Sequence, residues 1–191
     1  MDINKLVAHA FQPLKLTIQE HPEFFTFWEE VSYKKGEFVC EHGQIERYFY
    51  VVITGMLAIY LIDKNGDKRV IGFSFDGSFS GVYDSFLDES PSNYYLEALS
   101  GTKLMRLSKA NYDRLFDMYP EFNYWGRIAH QQLLIGRVKR EVELMTLSSE
   151  ERYKVFMNRI PEPLTRIPQN YLAAYLNMTP ETFSRMRRLK S

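Results

Sequence analysis

Between Val31 and about Leu107 the apolar residues fall in short runs of Val, Ile, Phe and Tyr, separated by glycines at positions 36, 43, 55, 66, 77 and 101. Short strands spaced by turn signals predict a β-sandwich or jelly-roll barrel. Within Lys64–Asp67, the Asn65-Gly66 pair tolerates positive φ and predicts a type I′ hairpin. Upstream, Leu, Phe and Ile recur over residues 3–30 at helical spacing, so an N-terminal helix is expected there.

After Pro120 the period becomes helical and holds to about Leu147. Ile128, Ile135 and Val142 recur every seven residues, Tyr124, Val138 and Met145 fill the intervening positions, and Gln131 interrupts them. Such a seam predicts a helix that pairs with a copy of itself; a helix packed on the barrel is the alternative. Gly126 and Gly136 inside it each cost about 1 kcal/mol relative to alanine, so both are expected to admit a close neighbour.

A further helix is predicted from Ser148, a capping residue followed by Glu150 and Glu151 at the positive end of the dipole, with Pro161 and Pro163 closing it. The domain boundary is placed between Leu147 and Ser148, giving domains 1–147 and 148–191. Pro168 opens a helix whose Leu172, Ala173 and Leu176 share one face. Asn177-Met178 then forms a tight turn, and Thr179 caps a last helix with Pro180 at its first position. This arrangement has the size of a helix-turn-helix. Phe183 and Met186 point back toward the preceding helix, while Glu181, Ser184, Arg185 and Arg188 form one exposed stripe. Arginine can chelate the O6/N7 edge of guanine and glutamate can accept from cytosine N4; Thr179 and Thr182 can bond phosphates. Arginine stripes are also common on helices that are merely solvated, so the stripe alone leaves both readings open.

Charge sharpens the picture. The 191-residue chain carries 24 basic and 24 acidic residues, yet residues 165–191 hold five basic ones (Arg166, Arg185, Arg187, Arg188, Lys190) against Glu181. That stretch is net +4 and residues 1–164 are net −4, which favours a nucleic-acid partner for the C-terminus. Cys40 is the single cysteine, so neither a disulfide framework nor an iron–sulfur cluster is expected. The first residues lack the apolar core of a signal peptide, and YVVITGMLAIYLI is too short to span a bilayer. A cytoplasmic protein without a membrane partner is expected.

The order of helix, glycine-punctuated barrel, heptad helix and helix-turn-helix resembles the cyclic-AMP receptor/FNR (Crp/Fnr) family of bacterial transcription regulators. Three stretches carry the resemblance: YKKGEFVCEHGQIERYFYVVITGMLAIY, FDGSFSGVYDSFLDESPSNYYLEAL and YLAAYLNMTPETFSRMRRL. It implies an α+β chain: an N-terminal helix and a cyclic-nucleotide-binding-like jelly-roll barrel, a long dimerisation helix and a small all-α helix-turn-helix domain. It also implies a homodimer joined along Ile128, Ile135, Val138 and Val142. Double-stranded DNA would be the partner, with Glu181 and Arg185 reading base edges, Thr179 and Thr182 touching phosphates, and Arg188 on the same face. RNA polymerase enters as a further implied partner. Pro180 stands where the family carries an arginine, removing one contact. The chain also stops at Ser191, short of the family's β-hairpin wing, so a minimal DNA-binding unit is expected.

The effector cassette departs further. Cyclic-nucleotide-binding members carry Gly-Glu, followed about ten residues later by an arginine that pairs with the cyclic phosphate. The matching positions here are Gly81-Val82 and Ser92-Asn93. Without the arginine a desolvated phosphate loses on the order of several kcal/mol. Arg137, which with Val138 matches the positions facing the base, is a candidate replacement cation from another side. Cyclic AMP and other cofactors are therefore not expected. The cavity either holds a different small-molecule effector or is filled by Tyr83, Phe86, Tyr94 and Tyr95. Heme would need one of His9, His21, His42 or His130, each read as an ordinary surface or half-buried histidine. Catalysis is not expected either: the barrel segment holds only His42 where a metal-dependent cupin needs several histidines, and neither a G-x-S-x-G elbow nor a phosphate loop occurs. The rival reading is a sensing or interaction module with a decayed helix-turn-helix.

Overall fold

The computed structural model of the chain describes residues 21–159 and 166–188. Most of the helix expected over residues 3–30, the prolines at 161 and 163, and residues 189–191 lie outside them.

Among the described residues, eight strands form two four-stranded sheets: β1 (Trp28–Tyr33), β2 (Phe38–Cys40), β3 (Tyr48–Thr54), β4 (Met56–Ile62), β5 (Lys68–Phe75), β6 (Phe79–Ser80), β7 (Tyr95–Ala98) and β8 (Thr102–Ser108). One sheet runs β1-β8-β3-β6 and the other β2-β7-β4-β5, a jelly-roll order in which most neighbours in space are distant in sequence. Trp28 and Phe49 both stand opposite Leu107, one on each flanking strand, and all three side chains are buried. Seven helices are described: α1 (Pro22–Thr26), α2 (Tyr83–Asp88), α3 (Lys109–Met118), α4 (Pro120–Thr146), α5 (Ser149–Arg159), α6 (Gln169–Tyr175) and α7 (Pro180–Arg188). The chain divides into two compact units. The first comprises residues up to Leu61 with Gly72–Ala129; the second comprises Ile62–Ile71 and the chain from His130.

Two core clusters stand out among the described residues of the first unit. One is aromatic, joining Phe24, Trp28, Phe49, Phe86, Tyr112, Phe122 and Trp125 across β1, β3, β8 and the helices. The second holds Cys40, Tyr50, Val52, Leu57, Val82, Leu96 and Leu104.

Three local expectations need correction. The helical spacing read through residue 30 ends at Thr26, because Trp28 to Tyr33 instead pair residue by residue with β8 and bury Trp28. Long-range pairing overrides local spacing here. Inside the stretch read as strands, Tyr83–Asp88 is helical and ends on Glu89 at φ +52. The 63–67 turn is not type I′, which needs positive φ at both central residues. Among the described residues outside glycine only Glu89 and Asn177 have positive φ, so Asn65 does not, while Gly66 lies at +83°. The Asp63 carboxylate explains the difference: it accepts the Asn65 and Asp67 amides (2.9 and 3.0 Å), and the Gly66 amide closes onto Asp63 O (2.9 Å). An Asx-stabilised turn ending in a left-handed glycine results.

The two glycines of α4 differ. A Cβ on Gly126 would stand 2.6 Å from Phe116 Cε1, and that ring is itself wedged against Tyr112 and Phe122. A Cβ on Gly136 would meet nothing within 4 Å, so no described residue explains the expected close neighbour there. Gly126→Ala is therefore expected to lower stability, overpacking costing about 1–3 kcal/mol against a smaller gain in helix propensity. Gly136→Ala is expected to raise it by up to about 1 kcal/mol. Denaturant unfolding of both variants checks the opposite signs.

Candidate nucleic-acid interface and effector cassette

In the second unit the chain sets up its helix ends chemically. Ser148 and Glu151 form a reciprocal capping box at the start of α5: the Glu151 amide donates to Ser148 Oγ (3.3 Å) and the Ser148 amide to Glu151 Oε2 (2.8 Å). Helix α6 buries Leu172, Ala173 and Leu176, as their spacing predicts. It stops at Asn177, which takes φ +54°, and the Met178 amide returns to Ala173 O (2.9 Å). Thr179 Oγ1 then accepts the Thr182 amide (3.3 Å) and caps α7, with Pro180 in the first turn.

Phe183 anchors α7. It is buried and meets the Tyr153 ring of α5 edge-on at 5.7 Å. With that side inward, Glu181, Arg185 and Arg188 are exposed, Thr179 is exposed, and Thr182 and Ser184 are half-buried. The backbone at the helix start and the Thr179 hydroxyl hold the Glu181 carboxyl below its usual range, so it is an ionised acceptor at neutral pH.

Several supports of this unit were not foreseen. Arg152 is buried, and its guanidinium donates to four oxygens: Leu176 O (2.9 Å), Leu147 O (2.6 Å), Ser149 Oγ (3.2 Å) and Asn177 O (3.3 Å). Two of these carbonyls belong to the C-terminal ends of α4 and α6, where the helix dipoles are negative. From the 62–71 hairpin, Arg69 donates to Asn177 Oδ1 (3.1 Å) while pairing with Asp63, and Lys68 Nζ donates to the Tyr171 hydroxyl (2.6 Å). The first holds the turn between α6 and α7, and the second holds the first turn of α6.

Along α4 the expected seam is bare. Ile135, Val138 and Val142 are each about half exposed, Met145 is 78% exposed, and Ile128 is half-buried. The packed alternative holds only at the helix start, where Phe122, Trp125 and Gly126 are buried.

In the first unit, Gly81 lies at φ +141°, and Val82 is wholly buried in the second core beside Cys40 and Tyr50. Ser92 is also buried, its hydroxyl accepting the Tyr94 amide (2.9 Å) and donating to Tyr94 O (2.8 Å); Asn93 is exposed. Phe86 and Tyr83 fill the aromatic core and Tyr94 packs on the other, while Tyr95 stacks on Tyr60 at 5.4 Å. Arg137 lies in the second unit, exposed on a groove between α4 and the ends of α5 and α6.

The ionisable group of this neighbourhood is one the sequence did not flag. Glu46 is 3% exposed; its Oε1 accepts the Tyr48 amide (3.1 Å) and the Tyr50 hydroxyl (3.2 Å), and its own amide donates to Ser85 Oγ (3.0 Å). Oε2 finds no hydrogen-bond partner among the described residues. Burial pushes the carboxyl up to about 7, against the pull of the amides of Tyr48, Val82 and Arg47 and the Tyr50 hydroxyl. Burial first, and then Glu46, push the Cys40 thiol up to about 12.

Residues 30–119 match the family model of the cyclic nucleotide-binding domain. The nitrogen fixation regulation protein FixK of Bradyrhizobium diazoefficiens is 25% identical over 184 residues, covering 89% of this chain and 75% of that one. The fumarate and nitrate reduction regulatory protein of Salmonella typhi is 23% identical over 168 residues, covering 80% of this chain and 65% of that one. Among solved structures, the c-di-GMP responsive global regulator CLP of Xanthomonas campestris superposes with a TM-score of 0.71 at 19% identity, covering 88% of this chain and 89% of that one.

Proposed function

We propose that the chain is a transcription regulator of the Crp/Fnr family, to which its relatives and its cyclic nucleotide-binding domain point, and that it is a homodimeric, sequence-specific DNA-binding regulator of the cytoplasm that does not respond to cyclic AMP. The observation that carries the DNA reading is the orientation of α7: Phe183 is buried and Glu181, Arg185 and Arg188 face solvent at i, i+4 and i+7. In the major groove, Arg185 and Glu181 read base edges, while Thr179, Thr182 and Arg188 contact the backbone. Residues 148–191 are the DNA-binding domain, and residues 1–147 are the effector domain with its dimerisation helix.

The bare seam of α4 supports the dimer. Pairing along Ile128, Ile135, Val138 and Val142 covers apolar surface and sets two recognition helices about 34 Å apart over a pseudo-palindrome. An effector or protein signal, RNA polymerase among the possible protein partners, acts by binding one arrangement of the dimer better than another.

Three features speak against cyclic AMP. Val82 lies in a core, the Ser92 hydroxyl is committed to Tyr94, and the buried ionisable group beside Val82 is a carboxylate. A cyclic phosphate there would be desolvated without the family's arginine, beside a carboxyl that burial already disfavours in its charged form.

Arg185→Ala tests the base-reading role. It is expected to cost about 1–3 kcal/mol on the preferred duplex and to relax specificity at the contacted position. Fluorescence anisotropy on preferred and scrambled duplexes measures both, and an equal loss on every sequence would contradict the assignment.

A further inference from the structure

A groove of about 740 Å³ lies within the second unit, walled by α4, the end of α5 at Arg159, the end of α6 at Tyr175, and Val70–Ile71. Its α4 wall centres on Leu133, Arg137, Arg140 and Leu144, spaced i, i+4, i+7 and i+11 on one face, with Gly136 and Glu141 beside them and the seam residue Met145 at the edge. At 3.6 residues per turn that face lies opposite the seam of Ile128, Ile135, Val138 and Val142. Pairing along Ile128, Ile135, Val138 and Val142 therefore leaves that central face of the groove open, and so does a monomer.

The groove combines two chemistries. Ile71, Leu133 and Leu144 give it an aliphatic wall, and Leu133 and Leu144 are each about 40% exposed. Arg137, Arg140 and Arg159 supply cations against Glu141. Two of the three are engaged: Arg159 pairs with Glu143, and Arg140 donates to Tyr175 O while lying 4.0 Å over the Tyr175 ring. Arg137 has no hydrogen bond or ion pair to any described residue. An unpaired guanidinium beside an aliphatic wall, in a groove of ligand-binding size, fits one kind of molecule.

We propose that this groove binds an organic monocarboxylate with an aliphatic tail, the head group held by Arg137 and the tail lying along Ile71, Leu133 and Leu144. One spare positive charge suits a single carboxylate, which a planar guanidinium grips through two parallel hydrogen bonds. Gly136 stands on the groove wall with open space where a side chain would be, so a bulky residue there fills the groove without displacing a neighbour. The inference does not depend on the DNA-binding reading, since no residue of α7 takes part.

Calorimetric titration of the full chain with octanoate tests it. Saturable binding of one octanoate per chain is expected, with acetate and octanol both much weaker. Arg137→Gln is expected to weaken octanoate binding about tenfold and Gly136→Phe to abolish it, while Arg185→Ala, outside the groove, binds as the parent does. Circular dichroism of each variant reports whether it is folded. Absence of saturable binding, equal binding of octanol, or undiminished binding by folded Arg137→Gln and Gly136→Phe proteins would overturn the assignment.

Discussion

Replacing Glu46 by Gln is expected to flatten the pH dependence of barrel stability between pH 5 and pH 8. In the folded chain burial pushes the Glu46 carboxyl up to about 7, against 4.5 when unperturbed. The folded state therefore holds a proton over that interval that the unfolded chain has released. Stability falls as pH rises from about 4.5, and the full loss is reached above 7. A shift of this size corresponds to about 3 kcal/mol. The carboxyls of Glu23, Asp63, Glu151 and Glu181 are lowered instead, so their contributions vanish only as pH falls below their ordinary range and do not overlap this window. Glutamine keeps an acceptor for Tyr48 and Tyr50 but places unpaired N–H groups at the Oε2 position, costing about 1–3 kcal/mol. The slope, rather than the stability at one pH, is thus the diagnostic quantity. Both tryptophans, Trp28 and Trp125, are buried in this unit, so their fluorescence during denaturant unfolding reports on it directly. Parallel pH profiles for parent and variant would contradict a raised Glu46.

Arg152→Ala is expected to disorganise the helix-turn-helix while leaving the barrel intact. The guanidinium is the shared donor for the end of α4, the cap of α6 and the turn at Asn177. Hydrogen bonds from a charged group contribute about 1.5–3 kcal/mol each, and stranded buried carbonyls add their desolvation cost. A loss of about 3 kcal/mol or more follows, large for a three-helix unit with a small core. Lysine does not rescue it, since a point charge cannot span carbonyls that a guanidinium fork reaches together. Hydrogen exchange of peptides from 149–159 and 166–188 is expected to accelerate strongly, with tryptophan-monitored unfolding of the first unit unchanged. Unchanged exchange in those peptides would show that Arg152 is dispensable.

Both of these residues escaped the sequence reading, for the same physical reason. Glu46 sits in a polar, turn-like stretch, Gln44 to Arg47, and only folding brings Ser85, 39 residues away, and the Tyr50 hydroxyl around it. Arg152 follows Ser148–Glu151 in a helix start that looks like a solvated face, yet its partners lie up to 25 residues further on. What was legible depended on neighbours in sequence. Thr179, Pro180 and Asn177 announce a helix start and stop through their own side chains and φ preferences, and the structure places them so. The heptad spacing of α4 identified the apolar seam without any structure. Where local and long-range signals competed, the long-range one prevailed, as when Trp28 to Tyr33 joined β8 instead of extending a helix. The 63–67 turn failed differently: Asn65-Gly66 was read without the Asp63 carboxylate that selects the turn.

The central claim is that two α7 helices, joined through α4, read a two-fold-symmetric DNA site. Selection of the purified, ligand-free protein on a random duplex library at moderate salt, followed by sequencing of the bound fraction, tests it most directly. Enrichment of a pseudo-palindrome with half-sites about one helical turn apart, lost in the Arg185→Ala protein, is the expected result. Enrichment of an asymmetric motif, or none with and without an added metabolite pool, would contradict a homodimeric DNA reader.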